Sequence, residues 1–175
     1  MREILEKLAK GLISVDVAEN LLNPLAIAEL GKIAKLDVNR ELRTGAPEII
    51  LAEKKSPSDL KAIIKKMVEC NGRAIVSRVD PEVTKLLKRE FKEKICEHHV
   101  DARILIVRNK AKLKMNNLGT VCILTGGTSD IPVAEEARVI AEEMGCGILT
   151  DYDIGVAGIH RLLPAIQMIA KNKVD

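Results

Sequence analysis

Apolar residues recur along this chain at two spacings, and the switch between them divides it. Near the start, Ile4, Leu5, Leu8, Ala9 and Leu12 fall on one helical face, with Gly11 near its end. Leu25, Ala28, Ile33 and Leu36 repeat that spacing after Pro24, so residues 1–36 are predicted helical. Residues 37–47 (DVNRELRTGAP) are polar, carry Arg40 and Arg43, and end in Gly45 and Pro47, which predicts a loop. From residue 48 short apolar runs alternate with helical patterns. Strands are expected at 48–52, 74–77 and 103–107. Between them, Ser56-Pro57 opens a helix carrying Leu60, Ile63, Ile64, Met67 and Val68, which Asn71-Gly72 ends. Asp80-Pro81-Glu82 opens another, with Val83, Leu86, Leu87, Phe91 and Ile95 facing inward.

Beyond a charged stretch at 108–118 the alternation resumes. Residues 121–125 (VCILT) have no polar alternation, as in a strand covered on both faces. A loop at 126–130 leads to a helix over 132–144, with Val133, Ala137, Ile140, Ala141 and Met144 in register and Gly145 as its stop. A strand at 147–150, a loop at 151–158 and a helix carrying Ile159, Leu162, Leu163, Ile166 and Ile169 follow. Pro164 belongs either to that helix's first turn or to a kink.

This order predicts an α/β chain. Its parts are a helical segment with a loop (1–47), a small three-stranded βαβαβ domain (48–107), a linker (108–118) and a second α/β unit (119–175). Two strands and two helices do not make a covered parallel sheet, which usually needs about four to six strands. The second unit is therefore expected to be half a domain, truncated or completed by other chains, with uncovered helix faces.

Composition narrows the function. Of 175 residues, 47% are hydrophobic and 30% charged, which is ordinary globular usage. One Phe, one Tyr and no Trp leave no stacking platform for single-stranded nucleic acid. The net charge is +3, mostly from opposite signs interleaved along helices, and Arg108, Lys110, Lys112 and Lys114 read as a charged linker. No apolar run approaches the roughly 18 residues that span a bilayer. Cys70, Cys96, Cys122 and Cys146 form no C-x-x-C pair, and a cytoplasmic protein that binds neither nucleic acid nor membrane is expected.

Two strand-to-helix loops could carry chemistry, since open α/β sheets bind ligands at strand ends. In the first, Gly126 and Gly127 let backbone approach an anion at a helix start, and Thr128, Ser129 and Asp130 supply hydroxyls and a carboxylate. Ser129 suits a phosphate and Asp130 a ribose; the competing reading is that Asp130 caps the helix, with Pro132 in its first turn. No Lys follows the glycines, so this is not a Walker A loop. The second loop, DYDIGVAGIHR at 151–161, sets Asp153, His160 and Arg161 among small residues. His160 can move a proton near neutrality, with Asp153 as its catalytic companion, and Arg161 can grip a phosphate or carboxylate. Cys96, His98 and His99 lack a second ligand pair at zinc spacing, so no metal site is expected.

The two loops carry a resemblance. PurE-type carboxylases have G-S-x-S-D and A-H-R motifs after their first two strands. Residues 126–130 and 159–161 are similar, with Gly127 and Ile159 as departures. The related LarB family reads T-x-G-T-S-D, then P-V-A-E-E-A, then Y-D-x-G-V-A-G-x-H-R-L-L; this chain has TGGTSDIPVAEEA at 125–137 and YDIGVAGIHRLL at 152–163. The chain also resembles LarB upstream, where RELRTGAPE at 40–48 fits an R-x-x-R-T-G-x-P-E motif absent from PurE. The resemblance spans nearly the whole chain.

It implies that residues 119–175 begin a PurE-like, flavodoxin-like parallel domain. The implied reaction carboxylates the pyridinium ring of nicotinic acid adenine dinucleotide and cleaves its pyrophosphate. AMP and pyridinium-3,5-biscarboxylic acid mononucleotide are the products, the latter an intermediate of the nickel-pincer cofactor. The co-substrate is CO2 or bicarbonate, with no covalently bound cofactor; a magnesium requirement is left open. By the same resemblance Ser129 and Arg161 hold the mononucleotide phosphate, Asp130 the ribose, His160 lies at the proton-transfer chemistry, and Arg40 and Arg43 approach on a closing loop. The family's adduct-forming cysteine belongs to a later part of the catalytic domain and is transferred to none of the four cysteines. A homo-oligomer is implied for the complete protein. The alternatives are a PurE-like carboxylase or mutase of purine biosynthesis and a non-catalytic nucleotide-binding module.

Overall fold

The computed structural model describes residues 2–22, 27–30, 34–110, 118–155, 158–172 and 174–175. Pro24, Leu25, Ile33, Lys112 and Lys114, which entered the sequence reading, lie outside them.

Helices α1 (Arg2–Ala9) and α2 (Val15–Leu22) confirm helix at the start of the chain. The helical expectation fails at 27–36. There β1 (Ile27–Leu30) and β2 (Ala34–Asp37) pair antiparallel, Ala28 opposite Leu36. Leu36 enters the main core and Ala28, Ala34 and Val38 pack against it, so the hairpin lies on a neighbouring helix instead of forming one. Residues 40–44 are also not loop but a short helix, α3 (Arg40–Thr44), closed by Gly45.

The expected three-stranded parallel domain is a four-stranded mixed sheet in the order β3 (Ile49–Leu51), β4 (Arg73–Ser77), β6 (Ile104–Arg108), β5 (Ile95–His99). Only β3 and β4 run parallel; β6 is antiparallel to both its neighbours. The cause is the segment after α5 (Pro81–Glu90), which ends at Phe91 rather than continuing to Ile95. The chain turns into β5, which meets β6 as a hairpin through the turn at 100–103. Local helix signals were obeyed. Ser56 accepts the Asp59 N–H at the start of α4 (Pro57–Asn71), Asp80 accepts the Glu82 N–H at the start of α5, and each helix has proline in its first turn.

Alternation along the central strands serves two layers. Ala74, Val76, Leu105 and Val107 join the cluster containing Leu60, Ile63, Ile64 and Met67 of α4 and Leu87 of α5. Ile75, Ile104 and Ile106 point the other way and meet Val139 and Ile140 of α6 (Ile131–Glu143). Helix α6 therefore covers the second face of the first sheet through Val139 and Ile140, while Val133 and Ala137 of its predicted apolar face stay exposed, as do Leu163 and Ile166 of the last helix.

The same helix packs on a second sheet of β7 (Thr120–Leu124) and β8 (Gly147–Asp151), parallel as expected, with α7 (Ile159–Asn172) following. Pro164 lies inside α7, past its first turn. The Gly119 carbonyl accepts from Gly147 on the β8 side, whereas the Thr120 carbonyl accepts from the Asp175 N–H at 3.1 Å. Successive residues of a strand point their hydrogen-bonding groups to opposite sides. Residue 175 thus lies along the edge of β7 away from β8, where a third parallel strand would pair.

Arg108 overturns the linker reading at its first residue. It ends β6 with 4% of its side chain exposed and reaches Glu143 Oε1 on α6 at 2.9 Å. Its Nε lies 3.1 Å from Glu97 Oε1, a charge contact off hydrogen-bond geometry. Arg73 joins the cluster by pairing with both Glu143, at 2.8 Å, and Glu41 of α3, at 2.7 Å.

Candidate functional site

The two candidate loops are fastened together at the C-terminal ends of β7 and β8. Thr125 is buried and acts as the clasp: its Oγ1 accepts the Asp153 N–H at 3.0 Å and its carbonyl accepts the Ile154 N–H at 3.0 Å. Gly126 continues the clasp through its carbonyl, which accepts the Gly155 N–H at 3.0 Å. A parallel strand pair carries its ladder past its own ends here, so motifs some thirty residues apart share one ridge.

On the first loop Gly127 is extended and Thr128–Asp130 form a single 3-10 turn before α6. Asp130 stands at the N-cap position of α6 with Pro132 in the first turn, but its side chain makes no capping bond to the helix. Instead the Ser129 hydroxyl faces Asp130 Oδ1 at 3.4 Å, and Thr128, Ser129 and Asp130 are all exposed beside the helix start. Hydroxyls and a carboxylate beside a helix N-terminus are a suitable set for a phosphorylated sugar.

On the second loop Asp153 holds a left-handed backbone at φ 58°, which is costly for a non-glycine residue, and the Thr125 bond fixes it there. Arg161 folds its guanidinium back over Gly155. A Cβ at Gly155 would crowd Arg161 Nη1 at 3.1 Å, and the φ of +61° is what favours glycine there. The His160 imidazole likewise folds back over Gly158, into the space a Cβ would take. His160 and Arg161, at the start of α7, are exposed. Residues 156–157 and the Ile159 side chain lie outside the described parts.

A supporting network escaped the sequence reading. The Tyr152 hydroxyl donates to Glu135 Oε1 at 2.6 Å, tying the second loop to α6. Arg138 donates from Nε to both oxygens of Glu135 at 2.9 Å and from Nη1 to Glu142 at 2.7 Å. Bonds from Arg138, helped by the Tyr152 hydroxyl, hold the Glu135 carboxyl below its ordinary range despite partial burial. Burial and the neighbouring carboxylate push the Tyr152 phenol up, so Tyr152 stays a donor. The spacing of three between Glu135 and Arg138 was the available signal.

Arg40 and Arg43 are not brought to these loops. Arg40 lies 3.8 Å from Glu48, Arg43 pairs with Asp37, and α3 is tied through Glu41 and Arg73 to Glu143, the last residue of α6. The candidate loops sit at the other end of that 13-residue helix, roughly 20 Å away at 1.5 Å per residue. Glu48 is partly buried, which raises its carboxyl against the pull of Arg40.

No group of three or more His, Cys, Asp or Glu positioned to hold a metal occurs among the described residues. Cys96 is half-buried on β5 with its thiol pushed up by burial, and burial also lowers His98. Burial raises the Cys122 thiol as well. None of the described helices is long and apolar enough to cross a membrane.

Comparison with known proteins places this architecture. Residues 27–110, from the β1–β2 hairpin to the end of the four-stranded sheet, match the LarB/PurE-like N-terminal domain. An uncharacterized protein of Methanocaldococcus jannaschii is 36% identical over 178 aligned positions, covering 99% of this chain and 69% of the relative. The chain belongs to the LarB/PurE-like family. Its family domain is thus the unit built around β4 and β6, whereas the paired loops lie beyond the matched residues but within the alignment to the archaeal relative.

Proposed function

We propose that the paired loops are the mononucleotide end of a LarB-type site, which carboxylates the pyridinium ring of nicotinic acid adenine dinucleotide and cleaves its pyrophosphate. The observation that carries the proposal is the Thr125 clasp. It ties Asp153, Ile154 and Gly155 to the strand end that leads into the Thr128–Asp130 turn, through hydrogen bonds that do not depend on the exposed side chains. Ser129 and Arg161 then grip the mononucleotide phosphate beside the positive end of α6, while the Asp130 carboxylate accepts from ribose hydroxyls. Carboxylation replaces a ring hydrogen with a carboxylate, so a proton must leave carbon. His160 takes it, with Asp153 of the same loop favouring the imidazolium that results. Water attacks the pyrophosphate to release AMP. The ring-activating cysteine known in the family is assigned to none of Cys70, Cys96, Cys122 and Cys146.

The test is incubation of this chain and of the longer archaeal relative with the dinucleotide and labelled bicarbonate, following AMP and label in the pyridinium product. Replacing His160 with Asn in the active protein is expected to lower label incorporation at least about 100-fold, the usual scale of a general base. It should leave dinucleotide binding near its original value. Full carboxylation by H160N would remove the proton role. Label on an aminoimidazole ribonucleotide instead would move the assignment to purine synthesis.

A further inference from the structure

A cleft of about 210 Å³ opens at the same end of α6, between that helix and the first sheet. Glu53, Arg78, Asp101, Arg103, Pro132 and Glu136 converge on it. It starts two residues past Asp130, so it continues the surface that bears the loops. Two of the four non-glycine residues with positive φ among those described line it, Arg78 and Arg103, and a third, Lys54, follows the lining residue Glu53 in the chain. The fourth is Asp153 on the loops themselves.

The chemistry of the cleft is selective. Arg78 is held between Glu53 and Glu136, 3.6 Å from each, and so bridges the first sheet to α6. Arg103 is fixed by its backbone, whose carbonyl accepts the Val79 N–H at 3.0 Å, while its Nη2 donates to the Arg78 carbonyl at 3.4 Å. No carboxylate pairs with Arg103 among the described ion pairs, which leaves most of its donor fork directed outward. With three carboxylates and two guanidinia the cleft is net negative, so a bare phosphate gains little there. A ligand offering hydroxyls to the carboxylates as well as phosphate to the arginines gains from both. Pro132 and the exposed Val133 add an apolar edge to the cleft.

We propose that this cleft is a nucleoside 5′-monophosphate site, the second subsite of one dinucleotide-binding surface. The inference rests on the dinucleotide reading above and extends it to the half of the substrate released as AMP. Arg103, supported by Arg78, takes the phosphate. Asp101 and Glu136 accept from the ribose hydroxyls, and the base lies along Pro132–Val133.

The experiment is an amide-resolved NMR titration of this chain with AMP, inorganic phosphate and nicotinic acid mononucleotide. AMP is expected to shift the amides of Ala102, Arg103, Val133 and Glu136, and inorganic phosphate at equal concentration is not. Arg103→Ala should weaken AMP about tenfold or more, as expected for losing one charge-assisted contact, and Arg103→Lys should recover part of it. Ser129→Ala should leave AMP unchanged while weakening the mononucleotide. Both arginine positions are exposed, so the variants keep the fold. Silence at the cleft up to about 10 mM AMP, a range that includes the weakest useful affinities, overturns the cleft site. So do equal shifts with inorganic phosphate, or AMP binding indifferent to Arg103→Ala. If the mononucleotide still moves residues 126–130 and 153–161, the loop site survives that failure; if AMP moves only the cleft and the mononucleotide moves nothing, the loop reading falls instead.

Discussion

The two sheets of this chain divide stability from chemistry, and α6 belongs to both. In the first sheet every residue of β6 is buried and both faces are covered, one by α4 and α5, the other by α6. In the second, β7 and β8 are at most half-buried, and the side chains suited to catalysis or binding are exposed. The helix joins the two regimes end to end. Its last residue, Glu143, is buried among arginines of the first sheet, while its first turn follows the Thr128–Asp130 turn and lines the cleft. Fixing one end of a helix in a rigid layer is an economical way to hold a polar site in place without burying it.

The sharpest way to break that division is at Glu143. Its side chain is 3% exposed and faces both Arg73 and Arg108. Glu143→Ala leaves the buried Arg108 and Arg73 with only the more exposed Glu97 and Glu41 as counter-charges, which costs up to about 3–5 kcal/mol. Urea unfolding followed by circular dichroism should show that loss. A double variant, Glu143→Leu with Arg108→Met, should recover much of it, since a packed apolar pair often matches a buried ion pair. Failure of the double variant to recover would mean that the cluster holds the fold through its wider connections to Glu41 and Glu97.

A matched pair of truncations measures the contrast directly. Leu105 on β6 is fully buried in the main core, whereas Leu124 on β7 is partly exposed. Leu105→Ala should cost about 2–5 kcal/mol and Leu124→Ala about 1 kcal/mol, by the cavity each leaves. Equal losses would mean that the two sheets share one cooperative core and that the division drawn here is wrong.

The sequence disclosed what is local and hid what is set by distant packing. Ser56-Pro57, Asp80-Pro81 and Gly145 marked helix ends correctly because caps are decided within a few residues. The parallel β7–β8 pair and the two loops were legible for the same reason, as apolar runs broken by glycine. Strand β5 was not, because Phe91 and Ile95 continue the spacing of Leu87, and ICEHH has the polarity of a surface segment. The β1–β2 hairpin was missed because Ala28 and Leu36 satisfy either spacing until α4 supplies a surface to cover. Arg108 read as linker because a charge gives no sign of its burial until Glu97 and Glu143 arrive from other elements. The same holds for the site, whose exposed groups were named from the loops while Tyr152, Glu135 and Arg138 emerged only from their contacts.

That supporting network gives the smallest effect and a pH signature. Arg138 and then Tyr152 hold the folded-state Glu135 carboxyl below its ordinary 4.5. A depressed folded pKa adds stability that is fully present above the unfolded value and is lost as pH falls through the folded one. Wild type should therefore exceed Glu135→Gln in urea midpoint at pH 7, and the gap should narrow as pH drops below about 4.5. The gap should be far smaller than that for Glu143, because Arg138 keeps Glu142 as a second partner and the network is partly solvated. A gap that stays constant down to pH 2 would show that Glu135 acts through shape and hydrogen bonding alone. Tyr152 would then be held to α6 by hydrogen-bond geometry that a glutamine does not reproduce, and the second loop would be positioned without the carboxylate's charge.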